Sequence, residues 1–132
     1  MSFGKDPADF RLALTEVIKR DTGVTDAGRN EVKIGLRLLD FLYMTIGAVN
    51  LLGLLRCGES ASKAYHQPDR GPGPYSDHLA RALEHSGFPA DNGRMEAARH
   101  VFLELHRVTG QEDCDLLIRW GIEALKPQPA SV

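Results

Sequence analysis

Residues 41–55, FLYMTIGAVNLLGLL, run for fifteen positions without a charge. A helix that spans a bilayer needs about 20 apolar residues. This run is shorter and is bounded by Arg37 and Asp40 on one side and Arg56 on the other. It therefore reads as a buried core helix, and no membrane association is expected. From Leu36 onward the apolar residues occupy nearly every direction around the helix axis, and a helix apolar all round must be surrounded. A chain of 132 residues has few elements with which to surround it. Part of the run is accordingly expected to pack against a second copy of the chain. The interface residues expected are Phe41, Met44, Asn50, Leu51 and Leu55. Asn50, a polar residue inside the run, is the one expected to set the register of that contact.

The rest of the chain supplies helices and no strand signal. Residues 6–20 begin with a capping Asp6 and Pro7 in the first turn. Phe10, Ala13, Leu14, Val17 and Ile18 then recur on one helical face. A second helix is expected from Thr25 or Asp26 to about Arg56, ending at Cys57 and Gly58. Gly35, Gly47 and Gly53 interrupt its propensity, and either allow close helix approach or, at Gly47, break it. Residues 66–75 hold three prolines and two glycines and read as a linker. Ser76 is expected to cap a third helix, residues 77–86, ending at Gly87. Asp91 or Asn92 opens a fourth, to Val108, with Met95, Ala98, Phe102, Leu105 and Val108 inward. Thr109 to Glu112 fits a capping box for a fifth, with Cys114, Leu117, Ile118, Gly121, Ile122 and Leu125 inward. The expected fold is thus a single all-α domain, 1–132, of about five bundle-like helices around a central apolar helix near 26–56. An N-terminal hairpin (6–57) and C-terminal helices (76–126) flank the linker.

Charge excludes some function classes. Sixteen basic and eighteen acidic residues give a net charge of -2. Residues 1–66 carry nine basic and eight acidic side chains; residues 67–132 carry seven and ten. Neither half has the basic stripe that phosphate backbones require, so nucleic acid is not an expected partner. The start lacks an apolar secretory segment, and Cys57 and Cys114 form no paired motif. Both points lead to a cytoplasmic expectation, with the cysteines as small buried hydrophobes.

The histidines are placed unevenly, all five at or after position 66. Glu96, His100 and Glu104 share one side of the fourth helix at i, i+4, i+8. They also share it with Arg99 and Arg107, which oppose a bound cation. The set reads as a solvated face of ion pairs, and no metal or cofactor is expected. His78, Arg81 and His85 read as a polar face of the third helix, balanced by Asp77 and Glu84. His106 lies at the border of an apolar stripe. Asp40 is expected to pair with Arg37 within its own helix. The linker is the place where binding residues are most expected, because Tyr65, His66, Arg70 and Tyr75 put aromatic and cationic groups on a proline-stiffened segment. A plain connector is the other reading of the same residues.

No phosphate loop, nucleophile elbow, zinc-protease helix or zinc cysteine pair is present. Arg94 and His100 stand five residues apart on one helix of an all-α chain. This Arg-x5-His element is similar to the motif of HEPN ribonucleases. The resemblance covers seven residues and departs from the family's usual polar residue after the arginine, which here is Met95. It implies an RNA-cleaving dimer in which Arg94 and His100 are catalytic. The leading expectation is instead a non-enzymatic interaction or regulatory homodimer. A third reading is a bundle that binds a small apolar ligand among Met44, Phe41 and Phe102.

Overall fold

Phe10, Leu14, Val17 and Ile18 step by three or four residues, and this spacing builds helix α1, Pro7–Thr22, with all four side chains buried. The computed structural model describes residues 7–22, 29–65, 74–88 and 93–126. Four further helices follow: α2 (Asn30–Tyr65), α3 (Tyr75–Ser86), α4 (Gly93–Thr109) and α5 (Gln111–Leu125). No strand occurs among the described residues. Helix α2 is central and touches each of the other four. The expected all-α architecture around one long apolar helix is the one observed. The expected caps Asp6, Thr25, Asp26, Asp91 and Asn92 lie outside the described residues.

Helix α2 extends well past Arg56, where the sequence reading ended it. Gly58 does not terminate the helix because it is a contact point. A Cβ there would overlap the Phe102 ring of α4 and crowd the Tyr75 hydroxyl of α3 at 3.2 Å. Gly35 fills the same role where Leu117 of α5 crosses, and Gly121 does so against Leu55. Gly53 meets nothing within 4 Å, so it is not a packing glycine.

Gly47 is the break. Its φ of 82° and ψ of 171° lie in a region that essentially only glycine enters. The helix is thereby divided into residues 30–46 and 48–65. Asn50 repairs the break: its side-chain amide donates to the Ile46 carbonyl at 2.9 Å, just before the interruption. By length and composition α2 could cross a bilayer. Here one side of it packs on four helices of its own chain.

That side carries the fold. Leu39, Leu42, Leu51, Leu54 and Leu55 have no exposed surface. Each such side chain is worth about 1.5–3 kcal/mol on burial, against about 0–1 kcal/mol for an exposed ion pair. Leu51 and Leu55, expected at a dimer interface, therefore belong to the core of the chain itself. Helices α3, α4 and α5, which pack on α2, enclose them, Leu55 lying against Gly121 of α5.

Two expected caps are replaced. Thr109 is the last residue of α4, and its hydroxyl donates back to the Leu105 carbonyl at 2.7 Å. Gly110, at φ 88°, turns the chain so abruptly that α5 starts without a side-chain cap. At α3, Pro74 occupies the cap position and Ser76 lies within the helix. The other end of α3 is as expected: Gly87 donates to Glu84 O and Phe88 to Leu83 O, which closes the helix in a Schellman motif.

Ion pairs pin the outer helices. Arg11 of α1 holds Asp40 of α2 at 2.6 Å, in place of the expected Arg37. Arg29 reaches Asp113 of α5 at 2.6 Å. Asp21 accepts from the Trp120 indole at 2.8 Å and from Arg119 at 2.5 Å, which docks α1 on α5. Those two donors hold the Asp21 carboxyl below its usual range, the indole contributing most.

Two consequences are open to measurement by the fluorescence of the single tryptophan, Trp120, during unfolding. Gly58→Ala lowers stability by about 1–3 kcal/mol through overpacking, whereas Gly53→Ala raises it by up to about 1 kcal/mol. Equal signs would contradict the packing role assigned to Gly58. For Asp21, a depressed carboxyl stabilises the fold above its ordinary range, and that contribution fades as pH falls through its folded value. Asp21→Asn therefore unfolds more readily than the parent at pH 7, and the two converge below about pH 4. A gap independent of pH would remove the charge from the account.

Candidate functional site

Two regions stand out, one polar and aromatic, the other apolar and exposed. The first gathers the two ends of the linker. Tyr65 closes α2 and Tyr75 opens α3, and their rings meet edge to face with centroids 6.2 Å apart. His66 and Arg70, the other expected binding residues, lie outside the described residues. Tyr75 turns inward, donates its hydroxyl to the Gly58 carbonyl at 2.9 Å, and stacks flat on His106 of α4 at 3.9 Å. His78 lies on the same inward face of α3 and is buried beside Tyr65, a change from the expected solvent-facing position. The reason is spacing: residue 78 falls three after Tyr75 and shares a face with Leu79 and Leu83. Arg81 and His85 remain exposed.

Beneath the rings runs a hydrogen-bonded chain. His106 Nε2 meets Gln111 Oε1 at 2.6 Å. Gln111 Nε2 donates to Ser62 Oγ at 2.9 Å and to Asp115 Oδ1 at 2.8 Å. Ser62 in turn donates to Asp115 Oδ1 at 2.5 Å. Burial raises the Tyr75 phenol above its ordinary range, with Cys114 and Asp115 adding to the effect and Ser62 opposing it. Burial, with Asp115 adding, pushes the Cys114 thiol up to about 12. Donors and acceptors match along this chain, so it joins α2, α4 and α5 as a satisfied polar network. Ser62, Gln111 and Asp115 carried no sequence signal, because their meeting depends on how three helices cross.

The second region is the outward side of residues 30–46. Ile34, Arg37, Phe41 and Met44 step by three, four and three residues, which places them on one seam of the helix. Ile34 is 43% exposed, Phe41 53% and Met44 63%. Arg37 makes no hydrogen bond or ion pair among the described residues. Beside the seam lies a groove of about 390 Å³ between α1 and α2, floored by Leu14, Ile18 and Leu36 and edged by Arg11, Arg37 and Asp40. Asp40 gives Oδ2 to Arg11, while its Oδ1 is enclosed and has no donor among the described residues. Of the five expected interface residues, Phe41 and Met44 are on this seam. Asn50 is half-buried at the break, and Leu51 and Leu55 are inside.

The remaining candidates are dispersed. Arg94 and His100 are both exposed on α4, His100 beside Glu96 at 3.6 Å. Glu96 and Glu104 are each bonded by an arginine three residues on, Arg99 and Arg107, which hold both carboxyls below their usual range. No group of three metal-binding side chains occurs among the described residues. Phe102 is fully buried near Gly58, and Phe41 and Met44 face outward on the other segment of α2, so these three do not line one pocket. No family model, curated protein or solved structure matches the chain.

The raised Cys114 thiol makes a clear prediction. At pH 8 in the folded protein, iodoacetamide leaves Cys114 unmodified, and in urea it reacts fully, as peptide mass spectrometry would show. Fast labelling of native Cys114 would contradict the burial of this network.

Proposed function

We propose that this protein is a non-enzymatic interaction protein of the cytoplasm that works as a homodimer through the outward seam of α2. The observation that carries this reading is the exposure of Ile34, Phe41 and Met44 together on one line of the central helix. Scattered exposed hydrophobes are ordinary on a protein surface, whereas an aligned set marks a contact surface. Three-and-four spacing is the pattern by which one helix presents knobs to another. The polar network under Tyr75 supports the same reading, since its side chains bond one another.

Light scattering on a sizing column tests it. At tens of micromolar the chain elutes as a particle of twice 14.5 kDa, and Phe41→Glu with Met44→Glu elutes as a helical monomer. A monomeric parent protein contradicts the proposal. So does flotation of the parent with phosphatidylcholine vesicles, which would make the seam a lipid contact.

A further inference from the structure

We propose that the groove between α1 and α2 binds a small aliphatic carboxylate, with its alkyl chain on Leu14, Ile18 and Leu36 and its carboxylate on Arg37. Two helical stripes make this groove. Arg11, Leu14, Thr15 and Ile18 recur at i, i+3, i+4 and i+7 along one face of α1, and Leu36, Arg37 and Asp40 meet them from α2. The Arg11–Asp40 ion pair bridges the two walls at 2.6 Å. The groove holds about 390 Å³. That is within the range of small-molecule sites, which are mainly apolar and carry a few polar groups that orient the ligand. Arg11 and Ile18 are seven residues apart, about 10 Å of helix, so the groove suits a chain of medium length.

Charge selects the head group. Two arginines and one aspartate line the groove, which leaves one positive charge in excess. Arg11 and Asp40 neutralise each other, and the Thr15 hydroxyl donates to the Arg11 carbonyl at 2.9 Å. The excess charge therefore belongs to Arg37, which is exposed and makes no hydrogen bond or ion pair among the described residues. A monoanion matches that charge, whereas an amine would meet a guanidinium. The planar fork of arginine donates two parallel N–H groups to a carboxylate. A molecule with a carboxylate at one end and an alkyl chain behind it satisfies the cation and the apolar floor together. Ile34, Phe41 and Met44 do not line the groove, so binding here is independent of the homodimer proposed above.

Titration with sodium octanoate, followed by NMR of isoleucine-methyl-labelled protein, tests the site. 1-Octanol serves as the uncharged ligand of the same chain length. Ile18 reports the groove floor, Ile34 the outward seam and Ile118 the core. Octanoate should shift the Ile18 methyl with half-saturation at about 1 mM, leave Ile34 and Ile118 in place, and bind about tenfold more tightly than octanol. Arg37→Gln should bring octanoate down to the level of octanol. Thr15→Phe, which fills the groove from an exposed position, should abolish the Ile18 shift with either ligand. An unmoved Ile18 methyl in the parent protein overturns the site. Equal binding of octanol and octanoate by the parent overturns the carboxylate assignment, and that comparison needs no variant. A larger shift at Ile34 than at Ile18 places the ligand on the outward seam and also overturns the proposal, as does octanoate binding unchanged by Arg37→Gln or by Thr15→Phe.

Discussion

The inward side of α2 is the constraint from which the rest of the molecule follows. Four helices lie on it, and three glycines set how closely they lie: Gly35 under Leu117, Gly58 under Phe102, and Gly121 under Leu55. Each allows a neighbouring side chain to occupy the space a Cβ would fill. The leucines between these points lose all contact with solvent, and their burial outweighs the ion pairs at the margins. Once that side is committed, the direction of every other residue of α2 is determined by helical period. Residues 34, 37, 41 and 44 must then face away.

The break at Gly47 gives α2 two jobs. Residues 48–65 are wrapped by α3, α4 and α5 and hold Tyr75, His106 and the Ser62–Asp115 network. Residues 30–46 meet α1, α4 and α5 on one side and are open on the other. A continuous helix would have carried the covered and open sides forward in one phase. The interruption changes that phase in the middle of the apolar run, and the Asn50 amide satisfies the Ile46 carbonyl at the junction. The apolar run is therefore neither a wholly buried core helix nor one long interface.

Helical faces were legible because they depend on local spacing. Phe10, Leu14, Val17 and Ile18 of α1, Met95, Ala98, Phe102 and Leu105 of α4, and Cys114, Leu117, Ile118, Ile122 and Leu125 of α5 follow from period alone, whereas Val108, expected inward, is only half-buried beside a buried Thr109, and the fully buried Trp120 was not among the expected inward residues. Positions set by contacts distant in sequence were not legible. Gly58 resembles a helix stop, yet it is a packing site for Phe102. Thr109 resembles a cap, yet its hydroxyl returns to Leu105. Asp40 has Arg37 one turn away, yet Arg11 from another helix holds it. His78 looks polar and solvent-facing until Tyr75 is known to be the first inward residue of α3. In the candidate sites, Tyr65, Tyr75, Phe41 and Met44 could be named from the chain. Ser62, Gln111 and Asp115 could not, since three helices must cross before their side chains meet.

Three methionines make the central claim accessible to one spectrum. Methyl-labelled protein, examined by NMR with a soluble paramagnetic agent, reports the exposure of each methionine in solution. Met95 is buried in the chain and serves as the protected reference, while Met44 is 63% exposed on the single chain. If the outward seam of α2 is covered by a second copy, the Met44 methyl is protected nearly as well as that of Met95 at high concentration and loses protection on dilution. A Met44 methyl that is strongly relaxed by the agent at every concentration would contradict the account.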